Sequence, residues 1–371
     1  MIALPDGRGA SLITESVGTQ PATLTAIDDQ TRANDAVRML RAGQSLLWTG
    51  DYVNGRHLIR AVRSRIERRR NPVKANDALA RWRNQRASTR ARAELLGAIF
   101  VLVETDGSVA LRRAPDTRTA VELAWGLRPE LRIVALNTLI GALSAAEWTR
   151  KGLEVPGLDG LLTPRFGVFS PTRSVYIELL QHLDVEDKSV IDVGCGTGVL
   201  AFVLLQRGAR SAIGTDIDPR AVICATNNAV GLGLDGRFHA VQADLFPPDQ
   251  SRADCIVFNA PWIPEAPRTR LDRAVFDEGG LLLRRFLAGL DDCLMPGGSA
   301  ALLISDLPER LGLRKKGDIE QLVHDAGLRV VLHADAAATH RRTRDSSDPL
   351  HNIRAKERVG IWVLSRASDD R

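Results

Sequence analysis

Residues 189–216 read SVIDVGCGTGVLAFVLLQRGARSAIGTD. A short apolar run, 189–193, stops at a turn carrying Gly194, Gly196 and Gly198. A nearly unbroken apolar segment, 199–206, follows, and a second short run, 211–216, ends on Asp216. Strand, glycine turn, helix and strand at these lengths form one crossover unit of a parallel sheet. Glycines at the strand-to-helix turn leave out the Cβ atoms that would keep a ligand off the backbone. Outward from this unit, 219–230, 281–294 and 319–326 read as helices, and 237–242, 254–259, 299–305, 328–333 and 359–364 read as strands. Such alternation predicts a Rossmann-like α/β domain, doubly wound with helices on both faces.

The strand ends carry the candidate chemistry. Asp192, Gly194, Cys195, Gly196, Thr197 and Gly198 would cradle a nucleotide cofactor. Asp216, eighteen residues after Gly198, can accept both hydroxyls of a ribose, with Ile217 beside it. Asp218 and Pro219 suit the cap and first turn of the next helix. After the third strand, Asp244 can meet an adenine amino group while Leu245 and Phe246 line the ring. Gly196-Thr197-Gly198-Val199-Leu200-Ala201 also satisfies the G-x-G-x-x-A pattern of dinucleotide binders, so hydride transfer stays open on this loop alone.

The fourth strand decides between them. It ends in Asn259-Ala260-Pro261-Trp262, and upstream lies Gly167-Val168-Phe169-Ser170-Pro171-Thr172-Arg173 before a helix. With the glycine loop, Asp216, Ile263-Pro264 and Gly279-Gly280-Leu281, these segments resemble amino-methyltransferases bearing an Asn/Asp-Pro-Pro-Tyr tetrad, above all the release-factor glutamine N5-methyltransferase family. The likeness covers residues 152–305. It implies a seven-stranded class I methyltransferase domain with its last strand antiparallel, holding S-adenosyl-L-methionine over Gly194 to Gly198, with Phe169, Pro171 and Thr172 closing above. It further implies that Asn259, which also borders the cofactor, and the Ala260 carbonyl take the two N–H bonds of a planar amide or amine, with Pro261 between and Trp262 over the flat face. Two positions depart from the tetrad: Ala260 stands for its first proline and Trp262 for its tyrosine.

The resemblance favours a protein, glutamine-like acceptor, and a basic block favours RNA or DNA base amino groups; a small molecule is a third class. Residues 56–92 hold thirteen Lys/Arg against Glu67 and Asp77, whereas the whole chain carries 50 cations against 45 anions. Such a block can track phosphates or meet an acidic protein, or simply be a solvated helix face. Readings of other classes are a non-catalytic binding module on this fold, and an NAD(P)-dependent oxidoreductase, which leaves Asn259 to Trp262 without a role.

Over 371 residues, 44% of them hydrophobic, two or three domains are expected. Residues 1–27 read as a loose tail and 28–151 as a mainly helical domain with one hairpin, 98–104 with 109–113, about Asp106-Gly107. Residues 152–167 read as a hairpin connector and 168–371 as the methyltransferase domain. The longest apolar stretch, 199–205, is far too short to span a bilayer, and MIALPDGRGA lacks a signal-peptide core, so a cytoplasmic protein is expected. Cys195, Cys224, Cys255 and Cys293 show no paired spacing and read as reduced, buried thiols, with no metal site. Residues 335–357 form a long connection whose His340, Arg341, Arg342, Arg344, His351 and Arg354 can face an anion or water.

Overall fold

A computed structural model describes residues 1–15, 21–68, 77–170 and 175–367. The chain divides into two compact units, the described residues of 1–76 with 82–148, and those of 149–371 with 77–81.

The first unit is built on a sheet. Strands β1 (Ile2–Ala3), β2 (Gly9–Ile13), β3 (Leu24–Ile27), β4 (Ser45–Trp48), β5 (Ile99–Val103) and β6 (Arg132–Ala135) lie in the order β1-β2-β6-β5-β4-β3. Helices α1 (Ala33–Arg41), α2 (Tyr52–Arg68), residues 82–97 of α3 (Ala78–Gly97), α4 (Arg118–Trp125) and residues 136–148 of α5 (Leu136–Lys151) accompany them. Successive strand residues point to opposite faces, and both faces are dry. Leu46, Trp48, Ile99, Val101 and Val134 share a core with Val37, Leu58, Val62 and Leu139 from the helices. Leu47, Phe100 and Ile133 form a second cluster with Ile2, Leu4 and Leu24.

This corrects the sequence reading in three places. Residues 1–27 include three strands. The helices of 28–151 are present, but they surround a sheet that the reading reduced to a hairpin. That hairpin is itself absent: Asp106-Gly107 does turn, with Gly107 at φ 82°, but β5 pairs antiparallel with β6 and parallel with β4. Residues 109–113 instead cross to α2, where the Tyr52 N–H donates to the Arg112 carbonyl at 2.9 Å.

In the second unit, β7 (Leu153–Glu154) and β8 (Leu161–Leu162) pair antiparallel inside the expected connector, and the short helix α6 (Val175–Leu179) follows. The main sheet then runs through β9 (Ser189–Val193), α7 (Val199–Gln206), β10 (Ser211–Asp216), α8 (Pro219–Gly231), β11 (Phe238–Gln242), β12 (Ala253–Asn259), α9 (Leu281–Cys293), β13 (Leu294–Ser305), α10 (Leu307–Leu311), α11 (Asp318–Asp325), β14 (Leu328–Ala337), α12 (Arg341–Arg344), α13 (His351–Arg354) and β15 (Arg358–Arg366). Its seven strands lie in the order β11-β10-β9-β12-β13-β15-β14. Neighbours from β11 to β13 are parallel, and β15 runs antiparallel between β13 and β14. This is the Rossmann-like α/β architecture expected of the domain, with its final strand reversed. Each of Val199 to Leu205 in α7 is buried, and burying a Val, Leu or Phe side chain stabilises by about 1.5–3 kcal/mol.

Among the described residues no helix is long and apolar enough to cross a membrane, and no cluster of His, Cys, Asp or Glu could hold a metal ion. All four cysteines are free and buried.

Candidate active site

The topology gathers the candidate residues. β10 and β12 flank β9 on opposite sides, so the chain's winding reverses there, and the carboxyl ends of the four parallel strands β9 to β12 share one edge. Ligands of doubly wound sheets sit at such a switch point. Asp192, Asp216, Asp244 and Asn259 all lie at or just past those ends.

The glycine loop is held from beneath. The Cys195 N–H donates to the Thr215 carbonyl at 2.8 Å, and the Gly198 N–H to the Cys195 carbonyl at 2.7 Å. Asn228 Nδ2 donates to the Thr197 carbonyl at 3.0 Å. Gly198 turns the chain into α7 at φ 84°, and a Cβ there would lie 2.4 Å from the Phe202 ring. Gly196, at φ 56°, is open above: a Cβ built on it meets nothing nearer than the Gly194 carbonyl at 4.0 Å. The loop is therefore a cradle whose free face a side chain would fill.

Two carboxylates frame it. Asp216 is half-buried, with one oxygen accepting from the Gly196 N–H at 3.0 Å and the other from the Asp218 N–H at 2.9 Å. Burial raises its pKa against those bonds. Each oxygen keeps a lone pair for a ribose hydroxyl. Beside it Ile217 is 49% exposed, an apolar side chain left in the open next to the cradle. Asp218 caps α8 by accepting from the Arg220 N–H, with Pro219 at the first turn, as expected. Asp192 is fully enclosed. One of its oxygens accepts from the Ala201 N–H at 3.2 Å, and the other has no partner among the described residues. Desolvation pushes its carboxyl up to about 7. An orphaned acidic oxygen under an open glycine cradle fits a ligand that brings a cationic or hydrogen-bonding group.

The adenine side is more occupied than expected. Asp244 pairs with Arg285 at 2.8 Å, both about half exposed. Leu245 is buried with φ 75°, an unusual backbone for a branched side chain, and its carbonyl accepts from Thr215 Oγ1. Phe246 stacks on Phe286 at 5.8 Å. Phe169 is half-buried at the edge of the described chain; Pro171 and Thr172 lie outside the described residues.

At the end of β12, Asn259 is half-buried, and among the described residues its side chain has no hydrogen-bond partner. Ala260 is completely enclosed, with its N–H on the Leu303 carbonyl at 3.2 Å. Pro261 and Trp262 reach the wall of a cavity of about 290 Å³, which Asp277, Arg284, Arg314 and Gln321 also line. Asp277 is a site residue the sequence reading missed. It is buried and accepts from the N–H groups of Leu282 and Leu283 at 2.8 and 3.0 Å, fixing the start of α9 at the cavity wall. Its only sequence trace is an acid placed ahead of Gly279-Gly280.

The basic connection before β15 is largely used internally. His340 Nε2 lies 3.1 Å from buried Glu357, which also accepts from Ser305 Oγ at 2.9 Å, and Arg354 is buried beside Asp348. Arg342 and Arg344 remain exposed or nearly so.

With this geometry in place, the comparisons with known proteins are informative. The model of the family "Ribosomal protein L11 methyltransferase (PrmA)" matches residues 168–261. A putative protein N5-glutamine methyltransferase of Methanocaldococcus jannaschii is 31% identical over 161 residues, 42% of this chain and 80% of that protein. The chain belongs to this methyltransferase family. A ribosomal protein L11 methyltransferase of Haemophilus influenzae is 46% identical over 89 residues, 24% of this chain; the match spans 30% of that relative's length. Among solved structures, a ribosomal protein L11 methylase from Lactobacillus delbrueckii subsp. bulgaricus aligns over 57% of this chain and 82% of its own, at 20% identity and a TM-score of 0.37. The seven-stranded order with β15 reversed is the one that the resemblance to class I methyltransferases implies.

Proposed function

We propose that the chain transfers a methyl group from S-adenosyl-L-methionine to a planar amide or amine nitrogen, with a glutamine-like side chain of a protein as acceptor. The carrying observation is the unpartnered Asn259 side chain at the end of β12, next to the glycine cradle of β9 and followed by Trp262 on a cavity wall.

When bound, the cofactor supplies an electrophilic methyl group on its sulfonium. Asp216 would hold the ribose and Ile217 and Leu245 the adenine faces, while the orphaned Asp192 oxygen, enclosed in this structure, would meet the polar end only after the chain around it shifts. Asp244 would meet the adenine amino group only by sharing its carboxylate with Arg285. Pro171 and Thr172 would close over the site with Phe169.

An amide nitrogen is a poor nucleophile because its lone pair is delocalised into the carbonyl. Asn259 Oδ1 accepts one N–H and so turns the nitrogen, while Trp262 covers the planar group and excludes water. Ala260 is enclosed, so its carbonyl can take the second N–H only after the chain around it shifts. Pro261 restricts that segment to one backbone angle. Alignment and preorganised dipoles together can contribute about 7–11 kcal/mol.

The test is calorimetric titration of the full chain with S-adenosylmethionine and S-adenosylhomocysteine, with NAD as control and Asp216→Ala alongside. Micromolar binding of the sulfur nucleotides that Asp216→Ala weakens is expected. A folded protein that binds neither, or binds NAD in their place, overturns the reading. Radiolabelled methyl transfer to glutamine-containing peptides against RNA then separates the acceptor classes.

A further inference from the structure

The proposed reaction gives no role to the arginines of the first unit. α3 is twenty residues long, and only Trp82 and Leu96 are buried. It carries Arg81, Arg83, Arg86, Arg90 and Arg92 against Glu94. A helix that is polar nearly all round depends on side-chain pairs along its surface. Some pairs exist here. Arg90 meets Glu94 at 2.6 Å, and Arg92 meets Glu67 of α2 at 2.6 Å, tying the two helices together.

The remaining cations are different. Arg56, Arg60 and Arg63 recur at spacings of four and three along one side of α2, beside the buried face formed by Leu58, Ile59, Val62 and Ile66. Arg60, Arg63, Arg68 and Arg83 are exposed and Arg56 is half-buried. Among the described residues none of these five has a carboxylate partner. Like charges at helical spacing repel one another by a few tenths of a kcal/mol per pair, a cost that an anionic partner would reverse. The run from Arg56 to Arg63 rises about 10 Å along the axis, which suits successive phosphates of a strand. Guanidinium groups are suited to bidentate phosphate contact. Trp82 is buried, so the surface offers charge without an aromatic platform for bases.

We infer that the exposed arginines of α2 and α3 dock on the phosphate backbone of a nucleic acid, without base readout. This surface is independent of the cofactor cradle, so it stands or falls separately from the proposed methyl transfer.

The experiment is fluorescence anisotropy of the full chain with a labelled twenty-nucleotide single-stranded RNA and with a DNA duplex of the same sequence. Salt is varied from about 50 to about 200 mM, and poly-glutamate is titrated as competitor. The variants are Arg56→Gln/Arg60→Gln/Arg63→Gln combined, and Arg60→Glu alone in case the triple change alters the melting temperature. Binding is expected to fall steeply with salt. The triple variant should lose about tenfold in affinity and shallow the log–log salt slope by about 2, for three single-strand phosphates. Cofactor affinity should not change. Absence of binding at low salt, equal binding by wild type and variants, or poly-glutamate competing as well as RNA would each overturn the inference, the last in favour of an acidic protein.

Discussion

Among single residues, Asn259 and Asp192 give the sharpest tests because one is polar and unpartnered at a strand end and the other is acidic and enclosed. Asn259→Ala removes the acceptor that orients the target nitrogen and leaves the glycine loop untouched. Turnover with the active acceptor should drop by about a hundredfold or more, while the S-adenosylmethionine Kd from calorimetry stays within about threefold. A parallel loss of cofactor affinity would move Asn259 into the cofactor site. Asp192 adds a pH effect. Its carboxyl titrates near 7 in the folded chain against 3.8 ordinarily, because burial penalises the anion. Between about pH 4 and about 7 the folded protein holds a proton that the unfolded chain has released, so stability falls as pH rises through that window and levels above it. Asp192→Asn should flatten this part of the melting curve of the cofactor-free protein, raising Tm relative to wild type most near pH 8. Superimposable Tm–pH curves would refute the buried-acid account.

For whole elements, the start of α9 is the place to probe. Asp277 satisfies two of the helix's first N–H groups, and the residue is also among those lining the cavity. Asp277→Ala should cost about 1–2 kcal/mol, read as a lower denaturant midpoint at unchanged m-value. KM for the acceptor should rise as the cavity wall loosens, and an unchanged KM would limit Asp277 to a structural part. The same scale shows what the sequence made legible. In the second unit every strand of the main sheet was readable, because glycine turns and carboxylates punctuate short apolar runs. In the first unit the strands were hidden. β3, β4 and β6 have four residues each, and β6 passes into α5 at Leu136 with no turn residue between them. Apolar residues on both faces abolish the two-residue alternation, so LTAI passes for part of a loose tail and SLLW and RIVA for stretches of a helical domain. Asp106-Gly107 announced a turn correctly, but a turn does not say which strand the next segment will meet. At the candidate site, the placement of Asn259, Trp262 and the glycine turn at strand ends was legible from local motifs. The Asp244–Arg285 pair and the enclosure of Ala260 were not, because both depend on α9 and β13 packing against the strand ends from far along the chain.

For the molecule as a whole, charge and chemistry are distributed unevenly. The chain carries only five more cations than anions, yet its residues 56–92 hold thirteen cations against two anions, while the cradle around Gly196 is built from backbone and buried acids. Salt should therefore act on the two halves of the proposed reaction differently. Exposed guanidinium groups are screened over about 10 Å at 0.1 M, whereas enclosed hydrogen bonds are screened far less. With a nucleic-acid-bearing acceptor such as a ribonucleoprotein, raising salt from about 50 to about 300 mM should increase KM by about tenfold or more and leave the cofactor Kd within about twofold. With a short neutral glutamine peptide the KM should barely move, since nothing in that acceptor reaches for phosphate-binding arginines. Steady-state kinetics on the two acceptors at matched cofactor saturation separates the cases. Equal salt sensitivity for both would mean that the arginines of α2 and α3 do not recruit the acceptor, whatever else they bind.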